Sequence, residues 1–432
     1  MKYLFTTVVI LPSLLSALSV NDAVVRTLGE NPQIFVKKNI LQSQKKLLKS
    51  AKAGYLPSVN LSYSIGPEET QMISNSRDKV YHTRQDASAT ITENIFAGFS
   101  TLNGVKKQES LILSADKSLQ DKANTLALEV ATAYLDILRK NKLEKIAQEN
   151  VDVHKKYLAQ IKDKLDSGIG RASDYEQTLS RYENARSSYV FAKQNYENAL
   201  YTFERLIKGD IKATDLEVPK IDTIPSENLD TLIDLALKNN PKIHISEADV
   251  AVARAVYKQS KSAYYPKADI VGQAYWNKNL NGIVTTPQQP YDEENGYNVL
   301  LKLSYNIFNG MSDRATAESN EYKILEKLST LEDSKRYVEA DIKIAWQTFE
   351  STKEQIVYIQ KNIDAIKQTV VDYREEYDLG RRSLIDLLNI ELEYNAAKNR
   401  MVTTQYDHYL AYYQILSYTG KLLEDMGIDI KQ

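Results

Sequence analysis

The sequence predicts a mainly α-helical protein with a small β part, built twice over from a long coiled-coil hairpin and a pair of strands. Three observations predict it. Apolar residues recur at alternating spacings of three and four, through Leu328, Leu331, Val338, Ile342, Ala345, Phe349, Ile356, Ile359, Ile363, Ile366, Val370, Tyr373 and Tyr377, with only Lys335 and Thr352 breaking the column. Such a sustained repeat marks a helix wound on partners. Elsewhere, short stretches alternate between apolar and polar residues, as half-buried strands do. The order of elements is itself repeated. Asn31-Pro32 recurs as Asn240-Pro241, and Tyr55-Leu-Pro57 as Tyr264-Tyr-Pro266, both 209 residues on. Asn94-Ile-Phe-Ala-Gly98 recurs as Asn306-Ile-Phe-Asn-Gly310, and Gly168 with Asp174 as Gly380 with Asp386, now 212 residues on.

Taken in order, Met1–Ser19 reads as a signal peptide, with Lys2 as the positive region, Tyr3–Leu15 as the apolar region and Ala17-Leu-Ser19 as a small-residue cleavage site before Val20. No later stretch approaches the ~20 apolar residues that a membrane helix needs. The first repeat covers 20–208, a linker 209–228, the second repeat 229–420 and a tail 421–432. Each repeat opens on a helix interrupted by Asn-Pro, because the residue before proline is pushed out of the helical region. Strands follow at about 59–65 and 86–97, then at about 268–276 and 297–308. Val59, Leu61, Tyr63 and Ile65 share one face of the first strand, and Tyr297, Val299, Leu301, Leu303, Tyr305 and Ile307 one face of the last. The third is weaker, with Val271 on its polar side. The stretches Gly66–Gln85 and Asn277–Gly296 read as polar loops, and the acids Glu68, Glu69, Asp292, Glu293 and Glu294 as solvated.

The long helices come next. Leu119, Ala123, Leu126, Val130, Ala133 and Ile137 form the outgoing column of the first hairpin, and Tyr175, Tyr182, Tyr189, Tyr196 and Phe203 the returning one. In the second hairpin Leu387, Tyr394, Met401, His408 and Ile415 hold the matching places. Gly168 and Gly380 end the outgoing helices as C′ residues do, so 168–174 and 380–386 are hairpin tips. Each hairpin is about 100 Å long at 1.5 Å per residue.

Composition narrows the function. A net charge of −2 with 26% charged residues argues against a nucleic-acid partner, which would leave a basic face or stripe. The absence of cysteine excludes a thiol nucleophile, a disulfide framework and a lipoprotein anchor, and the four histidines are scattered. No nucleotide-binding glycine loop, metal-spaced histidines or serine nucleophile elbow is present, so neither an enzyme nor a cofactor is expected. Strands apolar on one face suit a transmembrane β-barrel, although a soluble sheet with one wet face shows the same alternation. Four strands cannot close a barrel, and open edges cannot be left in lipid. A barrel would therefore be shared, with eight strands from a dimer or twelve from a trimer.

Strand pairs on duplicated coiled-coil hairpins behind a signal peptide resemble the TolC-like outer-membrane efflux and secretion channels. The carrying residues are the Asn-Pro helices, Ala53-Gly-Tyr-Leu-Pro57, Asn94-Ile-Phe-Ala-Gly98 and the two Gly…Asp tips. The resemblance implies a homotrimer, with a twelve-stranded barrel in outer-membrane lipid on a twelve-helix periplasmic tunnel. It also implies an equatorial belt from the linker and tail, a periplasmic adaptor and an inner-membrane ABC or RND-type pump. Its closed tip is held by Tyr377 and Arg382 bonding to Asp174, with Ser173 beside it. Its constriction falls on Asp386, while Asn389 stands where the family has a second acid. The tip residues also fit helix capping, as Ser383-Leu-Ile-Asp386 and Ser173-Asp-Tyr-Glu176. The expected function is passive export of secreted protein or small toxic compounds. The alternative is a periplasmic coiled-coil adaptor, which one hairpin with lipoyl-like β-domains would suit better than two hairpins each preceded by strands.

Overall fold

The computed structural model describes residues 18–71, 79–209, 211–221, 224–226, 228–279 and 293–429. Met1–Ala17 of the expected signal peptide, Asp292 and the centres of the two expected strand loops (72–78 and 280–292) lie outside them.

Helices α1 (Val20–Glu30) and α2 (Pro32–Lys52) are parted at Asn31, whose backbone is extended. Its side chain accepts a hydrogen bond from Gln33 N at 2.9 Å, so the same residue ends one helix and caps the next. The second repeat copies this detail: α5 (Leu229–Asn239) and α6 (Pro241–Ser260) are parted at Asn240, which accepts from Lys242 N at 3.0 Å. Proline follows each asparagine at the first helical position, where its missing N–H costs nothing.

Strands β1 (Ser58–Gln71), β2 (Lys79–Ala97), β3 (Lys267–Lys278) and β4 (Glu293–Ser304) form one antiparallel sheet in the order β1-β2-β3-β4. The register stacks Val59, Ile91, Gly272 and Val299 in one row and Asn60, Thr90, Gln273 and Asn298 in the next. Rows alternate in face, so one face is mainly apolar, with Glu93 in the row of Ile270 and Leu301, and the other carries mostly Ser, Thr, Asn and Gln. The apolar face is bare: Leu61 is 81% exposed and Val299 71%. Val271 lies on the more polar face, as its position in the sequence predicts, in the row of Thr92 and beside a second aliphatic residue, Leu300.

The strands differ from expectation at their ends. Glu68 and Glu69 belong to β1, and Glu293 and Glu294 to β4, instead of lying in loops. Beyond the apolar alternation, cross-strand ion pairs continue the ladder: Lys79 with Glu69 at 2.6 Å and Lys278 with Glu293 at 3.0 Å. Opposite charges facing each other stabilise a strand pair without any hydrophobic pattern. In the other direction β4 stops at Ser304, leaving Tyr305 and Ile307 beyond its end.

Helices α3 (Ser100–Asp166) and α4 (Ala172–Glu204) make the first hairpin, and α7 (Ser312–Asp378) and α8 (Leu384–Tyr418) the second. A short α9 (Leu422–Asp425) follows. The chain divides into two compact units, and each takes equivalent stretches from both repeats. One comprises 39–117 and 244–333 and holds the sheet with α6; the other comprises 1–38, 118–243 and 334–432 and holds both tips. The core of the second joins Val24 of α1, Val130, Tyr134 and Ile137 of α3, Phe203 of α4, Ile342 of α7, and Tyr412 and Ile415 of α8. The heptad columns supply much of this packing. Among the α4 aromatics, however, only Phe203 is fully buried, whereas Tyr182 and Tyr189 are partly exposed.

Both strand-to-helix junctions use two successive left-handed residues: Gly98-Phe99 at φ 60° and 65°, and Gly310-Met311 at 56° and 66°. A Cβ on Gly98 would lie 2.5 Å from the Ser262 carbonyl, whereas Gly310 has nothing within 4 Å. Gly98→Ala should therefore lower stability by more than the ~1–3 kcal/mol of backbone strain alone. Gly310→Ala should lose only that strain, so thermal unfolding in detergent should rank the two.

Candidate functional site: the two hairpin tips

The tips are built alike. At the second, Gly380 (φ 71°) donates to the Tyr377 carbonyl at 3.0 Å and Arg381 N to the Glu376 carbonyl at 2.8 Å. At the first, Gly168 (φ 77°) donates to the Leu165 carbonyl at 2.9 Å and Ile169 N to the Lys164 carbonyl at 3.1 Å. This paired closure satisfies carbonyls that the helix end leaves open, and it needs a left-handed residue where glycine stands.

The helices that leave the tips start differently. Ser383 is the N-cap of α8 and accepts from Asp386 N at 3.2 Å. The Asp386 carboxylate lies 4.0 Å from Arg382 and is about half exposed, so it is not spent on the cap. The expected cap at Ser173 is not formed: α4 begins at Ala172 with Arg171 as N-cap, and Ser173 is already inside the first turn. The first turn closes on backbone instead, with Asp174 N and Tyr175 N donating to the Arg171 carbonyl at 3.1 and 3.3 Å.

Tyr377 and Arg382 do find partners. The Tyr377 hydroxyl accepts a hydrogen bond from Lys164 Nζ at 3.3 Å, which joins α7 to the end of α3. The same ammonium lies 4.4 Å from the tyrosine ring centroid, within cation–π range. Arg382 Nε donates to Glu376 Oε2 at 2.8 Å, and its guanidinium sits 4.0 Å from the centroid of Tyr373. Among the described residues no hydrogen bond or ion pair joins either of them to Asp174, whose carbonyl accepts from Thr178 at 2.7 Å. Asn389 accepts from Arg181 at 3.5 Å, a second link between the hairpins.

Behind the tips lies a cluster that the sequence reading missed. Glu391 of α8 is almost fully buried, and its Oε1 accepts from Tyr157 Oη of α3 at 2.7 Å and from Arg374 Nη2 of α7 at 2.9 Å. Arg374 Nε in turn donates to the Tyr157 oxygen at 3.2 Å. Burial, with the carboxylate beside it, pushes the Tyr157 phenol well above its ordinary range, so it remains a donor. Apolar packing by Ile161, Leu384, Leu387 and Leu388 surrounds the cluster. One signal for it was present: Glu391 stands between Leu387 and Tyr394 at the spacing of the apolar column.

Doubled hairpins with matched tips, in one chain with a four-stranded sheet bare on its mainly apolar face, define a duplicated protein of coiled-coil hairpins and a shared sheet. The chain belongs to the outer membrane efflux protein family, whose sequence profile matches residues 23–207 and 232–421, one match to each repeat. It is 22% identical over 398 residues to the outer membrane protein TolC of Escherichia coli, covering 87% of this chain and 77% of that protein. It is 21% identical over 382 residues to the alkaline protease secretion protein AprF of Pseudomonas aeruginosa, covering 86% and 78%. In three dimensions it resembles the Campylobacter jejuni CmeC outer membrane channel, with a TM-score of 0.82 over 95% of this chain and 90% of that one, at 15% identity. The open state of the Neisseria gonorrhoeae MtrE outer membrane channel superposes with a TM-score of 0.76 over 93% and 89%, at 14% identity.

Proposed function

We propose that three copies of this chain form the outer-membrane channel of a tripartite export system, giving passive passage to the exterior. The observation that carries this reading is the sheet. Strands β1 and β4 are its two edges, and its apolar face is bare. A sheet with one apolar face and two open edges is complete in lipid only when neighbouring copies pair its edges into a closed barrel. No helix among the described residues is long and apolar enough to cross a membrane. The helices point the same way, because α7 exposes Tyr337, Ile344 and Tyr358 in one heptad column and α4 exposes Val190, Phe191 and Tyr201. Such stripes suit helix-to-helix contact between copies.

In this reading the hairpins form a periplasmic tunnel, and a periplasmic adaptor with an ABC or RND-type pump engages it from the inner membrane. Cargo is secreted protein or small toxic compounds; the protease-secretion relative supports the former and the efflux family the latter. An adaptor role is disfavoured by the doubled hairpins and the shared sheet. The tip is the gate, with Tyr377 and Arg382 on one hairpin set against Asp174 and Ser173 on the other. The Lys164–Tyr377 bond supports this, since it already spans the two hairpins. Asp386 lines the constriction with Asn389 one turn on, so the mouth carries one ring of acids instead of two.

The experiment is native mass measurement in detergent followed by conductance in a planar bilayer. A trimer that conducts is expected, and a stable soluble monomer would refute the channel. Tyr377→Phe combined with Arg382→Ser should raise conductance without lowering the heat resistance of the trimer. Asp386→Ala should change cation selectivity and block by multivalent cations; unchanged selectivity would remove Asp386 from the pore axis.

A further inference from the structure

The amino-terminal corner of the fold bears on where the mature chain begins. Leu18 is built into its unit by its backbone. Its N–H donates to the Asp215 carbonyl at 2.7 Å, and its carbonyl accepts from Glu217 N at 3.2 Å. Together these bonds make a parallel bridge between Leu18 and Leu216. The hydroxyl of the fully buried Tyr134 lies between the carbonyls of Leu18 and Glu217, 2.6 and 2.7 Å away, and donates to one of them at a time. The Leu18 side chain packs against the main core of the unit.

Ser19 is equally committed. It is the N-cap of α1 in a reciprocal capping box. Its Oγ accepts from Asp22 N at 3.1 Å, and the Asp22 carboxylate lies 2.7 Å from the Ser19 hydroxyl and 3.4 Å from its backbone N. This arrangement satisfies N–H groups that a helix start leaves without partners.

By pattern alone, Ala17-Leu-Ser19 is the better match to a small-residue cleavage site. Cutting there would discard the bridge to Leu216, one carbonyl partner of Tyr134 and the whole cap of α1. We propose instead that a signal peptidase hydrolyses the Ala17–Leu18 bond, so that Leu18 is the first residue of the mature protein. The proposal rests on the export reading above. Water adds across the amide and the C–N bond breaks. Ala17 leaves as the carboxylate end of the leader, and Leu18 keeps the nitrogen as its α-amino group. Ala17 then supplies the small residue at the cut, and Leu15 takes the other position of the pattern, which is why the match there is poorer than for Ala17-Leu-Ser19. The new amino group needs no rebuilding, because the same nitrogen already donates to Asp215. Its positive charge falls near the positive end of the α1 dipole, where Asp22 in the first turn offsets it.

The test is amino-terminal sequencing of the protein purified from the outer-membrane fraction, which should read Leu-Ser-Val-Asn. A chain beginning at Val20 would overturn the proposal and leave export standing. A chain retained in the cytoplasm and still beginning at Met1 would overturn both. Ser19→Asn gives a second measurement, because asparagine caps a helix as well as serine does and the fold is preserved. If the cut precedes Leu18, the substitution falls at the second residue of the mature chain, and pulse-labelled precursor should be processed at the normal rate. If the cut follows Ser19, the larger amide sits beside the scissile bond and precursor accumulates, which would overturn the proposal.

Discussion

Leu301→Arg is expected to prevent the protein from reaching a folded, membrane-inserted state. Leu301 is 67% exposed on the apolar face of β4, in register with Ile270 of β3 and in line with Val299 and Leu303. An arginine at the midplane of a transmembrane barrel costs about 2–4 kcal/mol, and a trimer repeats that cost in every copy. Leu303→Arg should behave in the same way. Ser304→Lys is the control. It belongs to the opposite face, beside Lys302, which the protein already tolerates there. The measurement is the amount of heat-resistant oligomer recovered from the outer-membrane fraction. Loss at Leu301 with normal recovery for Ser304→Lys supports a lipid-facing surface. Equal damage at both positions would mean a soluble sheet covered on each face.

Much of this architecture is legible in the sequence because its signals are periodic. The heptad columns mark the helices, the alternation in β1 and β4 marks the bare apolar face, and Gly168 and Gly380 mark the tips, since a left-handed C′ residue is close to a glycine monopoly. The offset of 212 between tips survives into matched hydrogen bonds. What the sequence hid lacks a period. The outer parts of β1 and β2 are held by pairs such as Lys79–Glu69, and a charge opposite a charge looks like a loop until the register is known. The start of α4 at Ala172, instead of after a cap at Ser173, rests on backbone bonds to the Arg171 carbonyl, which no single side chain announces. Lys164 and Tyr377 are 213 residues apart, and neither stands out without the fold to bring them together.

The same limit applies to Glu391, whose partners come from two other helices, and it leads to the second large effect expected here. Arg374→Met should destabilise the region behind the tips, whereas the double substitution Arg374→Met with Glu391→Leu should restore most of the loss. The Glu391 side chain is 7% exposed and the Arg374 side chain 50%. Removing the arginine therefore leaves a carboxylate out of water with a single tyrosine donor. Breaking a fully buried pair costs about 3–5 kcal/mol. Because the guanidinium is half in solvent and its charge is screened, about 1–3 kcal/mol is the better expectation. Replacing both partners with apolar side chains removes the unpaired charge, and among Ile161, Leu384, Leu387 and Leu388 a leucine has apolar neighbours to pack on. Burial without a charge to satisfy is commonly neutral or stabilising. Tyr157 then loses its acceptor, and Tyr157→Phe added to the double variant should cost little more. Denaturant midpoints of the detergent-solubilised protein measure each step. A double variant no more stable than Arg374→Met would mean that Glu391 is satisfied by water instead of by the arginine. If the expected order holds, the cluster fastens α3, α7 and α8 to one another just behind the tips. The Arg374→Met channel should then also conduct more readily, because a gate moves only as far as the helices behind it are held.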